Sequence, residues 1–464
     1  MANDNEKDKD KSTEKNKEKK EDRRAYRRKR RIRNQILAYV VLILLVAAVV
    51  LGGIQLIHML AGKWSGQAGN ETQTDPVAQA EETETPTEEP GVISTPDPVE
   101  DFSEPEPTEA EPEEPALDPA LQALLDGMTI EQKVDGLFIV SPEALTNVER
   151  ATKAGDGTKA ALGQYAVGGI LYSTNNVTGA DQFKDMISTT KDMYRELYSR
   201  NVLCIVREEG ALNTVAGNMT KVEAAASASE IGESGNRENA SEAFQTIGNY
   251  LSEYGIDVDL ASIAAVKTEE NSYLKDRCYS DDADIAASMT GAAVEGMLTT
   301  NTLPCLAAFP GEGGLSTNPD KGAGSTDKTM EDLQACEYLP FRSGIEAGVP
   351  MVMVSAMQVP ASGEDLPCML SEAMITQELR SELGFEGVVI TAPLEQIPSS
   401  AGIDCGSAAI QALQAGADMI VVYKHDHYEE AREALLAAVN DGSLTEERIN
   451  ESLIRIYTME LDRM

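Results

Sequence analysis

The stretch Glu382-Leu383-Gly384-Phe385-Glu386-Gly387-Val388-Val389-Ile390-Thr391-Ala392-Pro393 holds one repeat of an α/β fold. The residues leading into it, Glu372–Leu383, have helical composition. Gly384 and Gly387 then fall where the chain must turn and where backbones approach closely, both tasks suited to a residue without a Cβ. A β-rich run, Gly387–Thr391, follows.

Outward from this unit the same alternation recurs. Seven further runs have strand character: Gly136–Val140, Gly168–Tyr172, Leu203–Val206, Ile256–Leu260, Cys305–Phe309, Pro350–Ser355 and Asp418–Tyr423. Helical stretches lie between them, among them Ala180–Ser199, Glu238–Glu253, Asp284–Met297, Met330–Ala347 and Ser407–Ala415. Strands alternating with helices pair in parallel through right-handed crossovers. Eight such units predict an α/β fold of the TIM-like (β/α)8 barrel type over residues 118–464. An open doubly wound sheet is the alternative, but no GxGxxG follows the first strand to suggest a dinucleotide.

Chemistry in such barrels sits at the C-terminal ends of the strands. Here those ends read Arg207-Glu208-Glu209-Gly210, Ala264-Ala265, Ala307-Ala308, Ala356-Met357 and Ala392-Pro393. Alanine recurs where an enzyme places polar groups.

The N-terminal quarter is of another kind. Residues 1–34 hold 15 Lys/Arg against 8 Asp/Glu, a net +7 within a formal charge of −39, so the rest of the chain carries −46. Phosphates need cationic contacts, so this acidity argues against a nucleic-acid partner. Residues 1–35 form a basic, low-complexity tail with little to bury, and disorder in the cytoplasm is expected. Ile36–Ile54 carries no charge and has the length of a bilayer-spanning helix. With Arg23–Arg31 on its N-terminal side, residues 36–60 are predicted to be a single-pass signal anchor with the barrel outside the cytoplasm. A cleaved signal peptide is the competing reading. Residues 61–117 are rich in Glu, Thr and Pro and are predicted to be an extended linker or stalk.

Several motifs, in order, resemble glycoside hydrolase family 3, in particular its bacterial β-N-acetylhexosaminidase branch. Met128-Thr129-Ile130-Glu131-Gln132-Lys133-Val134 looks like the family's opening motif, and Val167-Gly168-Gly169-Ile170-Leu171 like its second strand. Phe309-Pro310-Gly311 stands where the family has KHFPGHG. Glu382–Thr391 is similar to the approach to its nucleophile, and Ala415-Gly416-Ala417-Asp418-Met419 to its last strand. The resemblance implies a retaining glycosidase barrel. In that mechanism an Asp attacks the anomeric carbon and a loop His, assisted by an Asp, handles the proton.

The residues themselves depart from that chemistry. At the nucleophile position stands Ala392, and a methyl group forms no glycosyl ester. No histidine lies between His58 and His425. The family's Lys-His clamp becomes Ala307-Ala308, its loop His becomes Glu312, and its strand-three Asp becomes Arg207. The Arg eight residues on becomes Val215, and the strand-six His becomes Ala356. Arg277 alone matches a ligand-contacting position.

Four carboxylates near the strand ends, Glu208, Glu209, Glu312 and Glu395, are either solvated loop groups or a relocated acid and nucleophile, with Glu209 and Glu312 the candidates. Arg207 is expected to neutralise Glu208 or Glu209, or else to bind an anion at the mouth. Arg277 either holds a sugar oxygen or pairs with Asp276 or another acid at the barrel top. His425 and His427 read as a solvated loop rather than a metal site, and Cys405 as an unreactive thiol in a loop. No cofactor or metal is expected. The primary functional expectation is a non-catalytic, membrane-tethered module that binds cell-wall glycan or an envelope protein. The alternatives are an active hydrolase on cell-wall amino sugars using relocated carboxylates, and a structural subunit without sugar affinity.

Overall fold

The computed structural model describes residues 117–462, apart from 211–213, 220–224, 320–323 and 398–400. The expected tail, membrane span and nearly all of the linker lie outside the described residues. Among the described residues no helix is long and apolar enough to cross a membrane.

All eight expected strands form: β1 (Phe138–Val140), β2 (Gly169–Leu171), β3 (Leu203–Val206), β4 (Val258–Ile263), β5 (Leu303–Phe309), β6 (Met351–Val354), β7 (Val388–Thr391) and β8 (Ile420–Val422). They are parallel and follow one another in the order β7-β6-β5-β4-β3-β2-β1-β8. β1 pairs with β8 at Phe138↔Ile420, Ile139↔Val421 and Val140↔Val422. A parallel bridge between Ile390 and Met419 then joins β7 to the residue before β8. Its hydrogen bond runs from Thr391 N to Met419 O at 3.0 Å. This seam makes a nearly closed TIM-like barrel and rules out the open doubly wound sheet.

The opening stretch works as its glycines suggest. Gly384 has φ +70°, a left-handed turn after the preceding helix. A Cβ on Gly387 would lie 2.5 Å from Pro350 O, so β7 can enter beside β6 only without one. That preceding helix, Ala373–Glu382, is a π-helix. The expected helix Met330–Ala347 is two, Met330–Ala335 and Tyr338–Glu346. The chain breaks at Cys336, whose φ −130° and ψ −73° fit no helix.

The core has two layers, the barrel lumen and the shell between strands and helices. Phe138 of β1 meets Tyr428 edge-on, with ring centroids 5.1 Å apart, and Phe309 of β5 packs on Tyr338 and Phe341. Buried acids brace the end of the barrel opposite the mouth. Asp418 takes hydrogen bonds from Arg380 Nη2 (2.6 Å), Val389 N (2.9 Å), Ser452 Oγ (2.8 Å) and Arg455 Nη1 (3.1 Å). Asp257 takes Lys191 Nζ and Cys204 N, each at 2.8 Å. A buried carboxylate is tolerable only when its lone pairs are filled in this way.

Candidate functional site

Side chains alternate across a strand, and at the end of β3 this alternation separates three charged neighbours. Arg207 lines the barrel mouth together with Leu260 of β4 and Met353 of β6. Glu208 is fully buried on the opposite face. Its Oε2 accepts the amides of Val215 (2.8 Å), Ala216 (2.8 Å) and Gly217 (3.2 Å). The group therefore organises a loop and is not solvated. Its own amide donates to Asp259 Oδ1 at 2.8 Å. Burial, the largest influence, pushes the Asp259 carboxyl well above the ordinary aspartate range, with the Glu208 charge adding to it.

Glu209 is paired, but not with Arg207. Arg277 Nε and Nη2 donate to its two carboxylate oxygens, each at 2.6 Å. The side chains of Arg277 and Glu209 are 24% and 7% exposed. Arg277 comes from the turn Lys275–Arg277 after β4. Burial, the largest single influence, acts to lower its pKa, yet the Glu209 hydrogen bonds together with the charges of Glu209, Tyr273 and Glu312 outweigh it and the net shift is upward. The expected pairing of Arg277 with a barrel-top acid is present, its partner being Glu209. The expected Arg207 pairing with Glu208 or Glu209 is overturned, because a backbone loop takes the first carboxylate and Arg277 the second.

Glu312 is also buried, contrary to a solvated loop position. It accepts the hydroxyls of Tyr273 and Ser355. Burial and then the Glu312 charge push the Tyr273 phenol up, so it stays a donor. Sequence reasoning missed both hydroxyls. Ser355 was readable, since it ends the expected sixth strand, whereas Tyr273 sits in a connection with no periodic signal.

Glu209 and Glu312 line adjoining cavities that share Arg277. One mouth cavity is lined by Ala307, Ala308, Ala392, Tyr273, Arg277 and Glu312. Glu209 lines a neighbouring recess instead, with Ile231, Phe244 and Tyr279, and Arg277 stands between the two. Ala392 at the end of β7 is 2% exposed, and Ala356 at the end of β6 belongs to the core. A larger cavity of about 520 Å³ opens from Arg207 across the ends of β8, β1 and β2.

Glu395 Oε1 accepts Tyr423 N (3.0 Å) and Lys424 N (2.9 Å) and meets His427 Nδ1 at 3.1 Å. His425 Nδ1 lies 2.7 Å from Ala144 O. Both histidines belong to the first turn of the helix His425–Asp441, not to a loop. Among the described residues no group of three or more His, Cys, Asp or Glu is placed to hold a metal ion. Cys405 opens the helix Cys405–Ala415 rather than lying in a loop. Burial and then Glu430 push its thiol up to about 11, consistent with low reactivity.

A parallel barrel with its cavities at the C-terminal strand ends places the protein in the TIM-like (β/α)8 class. The chain belongs to glycosyl hydrolase family 3, whose N-terminal domain model matches residues 129–459. It is similar to an uncharacterized secreted glycosyl hydrolase of Arthroderma benhamiae, 24% identical over 309 residues, or 62% of this chain and 86% of that one. It is also similar to Beta-hexosaminidase A of Pseudoalteromonas piscicida, 24% identical over 322 residues, or 64% of this chain and 54% of that one. The chain thus spans about half the length of the Pseudoalteromonas enzyme. Among solved structures, a family 3 β-N-acetylglucosaminidase from Paenibacillus superposes with a TM-score of 0.67 at 29% identity, over 72% of this chain and 63% of the other.

Proposed function

We propose that this protein is a catalytically silent member of the family, a module that binds saccharide at the barrel mouth without cleaving it. One observation carries the reading. The position assigned to the nucleophile by the resemblance is Ala392, buried beside Ala307 and Ala308 in the mouth cavity. Retaining hydrolysis needs a nucleophile and an acid/base group about 5 Å apart on either side of the scissile bond. Glu209 and Glu312 are poor replacements, since each is held by donors and they line different cavities. The charge-free segment 36–54 and the acidic stretch after it support a membrane-anchored, extracytoplasmic placement, with cell-wall glycan or an envelope protein as partner.

The test is hydrolysis of 4-nitrophenyl β-N-acetylglucosaminide and of the matching glucoside by the full chain. The reading expects release no faster than in buffer. Turnover well above that level, abolished by Glu209→Gln or Glu312→Gln, would overturn it in favour of relocated carboxylates.

A further inference from the structure

The pocket lined by Ala307, Ala308 and Ala392 is too small for a sugar. Its volume is about 40 Å³, and that of the recess beside Glu209 about 20 Å³. Such spaces hold a water or two, at roughly 10–15 Å³ each, whereas ligand pockets run to about 300–1,000 Å³. The loop after β5 takes up the room. Its Glu312 accepts the hydroxyls of Tyr273, from the connection after β4, and of Ser355, from the end of β6. Tyr273 N also donates to Leu315 O at 2.9 Å, so the loops after β4 and β5 are joined through their backbones. A Cβ on Gly313 would lie 1.7 Å from Val266 O, which shows how closely the two loops press together. Asn318 and Pro319 of the same loop complete the pocket wall.

The mouth has room elsewhere. The cavity across the ends of β8, β1 and β2 holds about 520 Å³ and meets the small pocket at Arg207, Leu260 and Met353. At its outer end Tyr423 is 41% exposed. The backbone of Tyr423 is fixed on both sides, its N–H donating to Glu395 at 3.0 Å and its carbonyl accepting Ser141 Oγ at 3.1 Å. An aromatic ring carried on so fixed a backbone offers an apolar face for one side of a pyranose. Ser173, Thr174 and Asn175, exposed in the turn after β2, line the same cavity and supply hydroxyl and amide groups. Glu143 and Glu149 outnumber Arg207 there, so the lining is net acidic and disfavours an acidic ligand. We infer that the saccharide site lies in this cavity, displaced from the alanine-lined pocket, and takes an uncharged glycan with one ring on Tyr423 and hydroxyls on Thr174 and Asn175. This deepens the saccharide-binding reading proposed above, and rests on it. A glycan bound there meets Pro393 rather than Ala392.

Ligand-observed NMR titration of the full chain, in a detergent without a sugar headgroup, tests this. The probes are N,N′-diacetylchitobiose, cellobiose, glucose and glucuronic acid. Thr174→Trp, which fills the large cavity from an exposed position, is expected to abolish binding of the neutral sugars. Tyr423→Ala is expected to weaken it about 3- to 10-fold. Ala308→Val and Asn318→Trp, which crowd the small pocket, are expected to leave it unchanged, with melting temperatures showing that each variant folds. Glucuronic acid is expected to bind at least about threefold more weakly than glucose at low ionic strength. Neutral-sugar binding that survives Thr174→Trp and is lost in Ala308→Val or Asn318→Trp would overturn the inference and leave the saccharide reading standing. Glucuronic acid binding as tightly as glucose would overturn the choice of an uncharged ligand. No binding of any of the four sugars would sink the saccharide reading and this inference together.

Discussion

Glu209→Gln separates a structural carboxylate from a catalytic one. In the fold Glu209 takes two short hydrogen bonds from Arg277, its own side chain 7% exposed and that of Arg277 24%. Each charge-assisted bond is worth roughly 1.5–3 kcal/mol. Leaving one partner of a fully buried pair uncompensated costs about 3–5 kcal/mol. Arg277 can regain some water, so the loss is smaller, about 2–3 kcal/mol. With an unfolding entropy of about 2.1 cal/mol/K per residue across the barrel, that loss lowers the melting temperature by roughly 3–4 °C. Calorimetric melting of Glu209→Gln, Arg277→Met and the double variant gives the coupling, expected at about 1–2 kcal/mol. A coupling within error of zero would refute the reasoning, because Glu209 would then be available for other work.

Three further outcomes follow from the same geometry. Asp259 has its pKa raised, so the stability tied to its proton is complete below the unfolded value of about 3.9 and is lost as pH rises through the folded value. The melting temperature of Asp259→Asn minus that of the parent should therefore rise as pH increases above about 4; a flat or falling difference contradicts the burial argument. Gly387→Ala drives a Cβ against Pro350 O at 2.5 Å and should destabilise by about 1–3 kcal/mol in urea unfolding. Gly157→Ala, with nothing within 4 Å, serves as the control and should be neutral or slightly stabilising.

The barrel was legible because its signal is local. Each strand is a short apolar run, and residues such as Gly384 and Gly387 mark turns and close approaches that only glycine fits. At the barrel mouth Ala392, Ala307 and Ala308 were legible, and they line one cavity. What the sequence concealed was the pairing of charges. Adjacency suggested that Arg207 neutralises Glu208, yet strand alternation alone puts those two side chains on opposite faces, and that clue was there to be read. The Glu209–Arg277 pair joins segments far apart in the chain, and the hydroxyls on Glu312 come from Tyr273 and Ser355. No local pattern encodes such contacts, because the meeting of strand ends and loops creates them. The break at Cys336 and the π-helix before β7 escaped for a related reason, since tertiary packing overrides helical propensity.

Intact-mass spectrometry of the full chain after prolonged incubation with a mechanism-based fluoro-glycoside of N-acetylglucosamine asks directly whether any carboxylate in the mouth attacks an anomeric carbon. The protein mass is expected to stay unchanged. A stoichiometric glycosyl adduct, mapped to Glu209, Glu312 or another acid at the strand ends, would show that the barrel has kept its chemistry by other means.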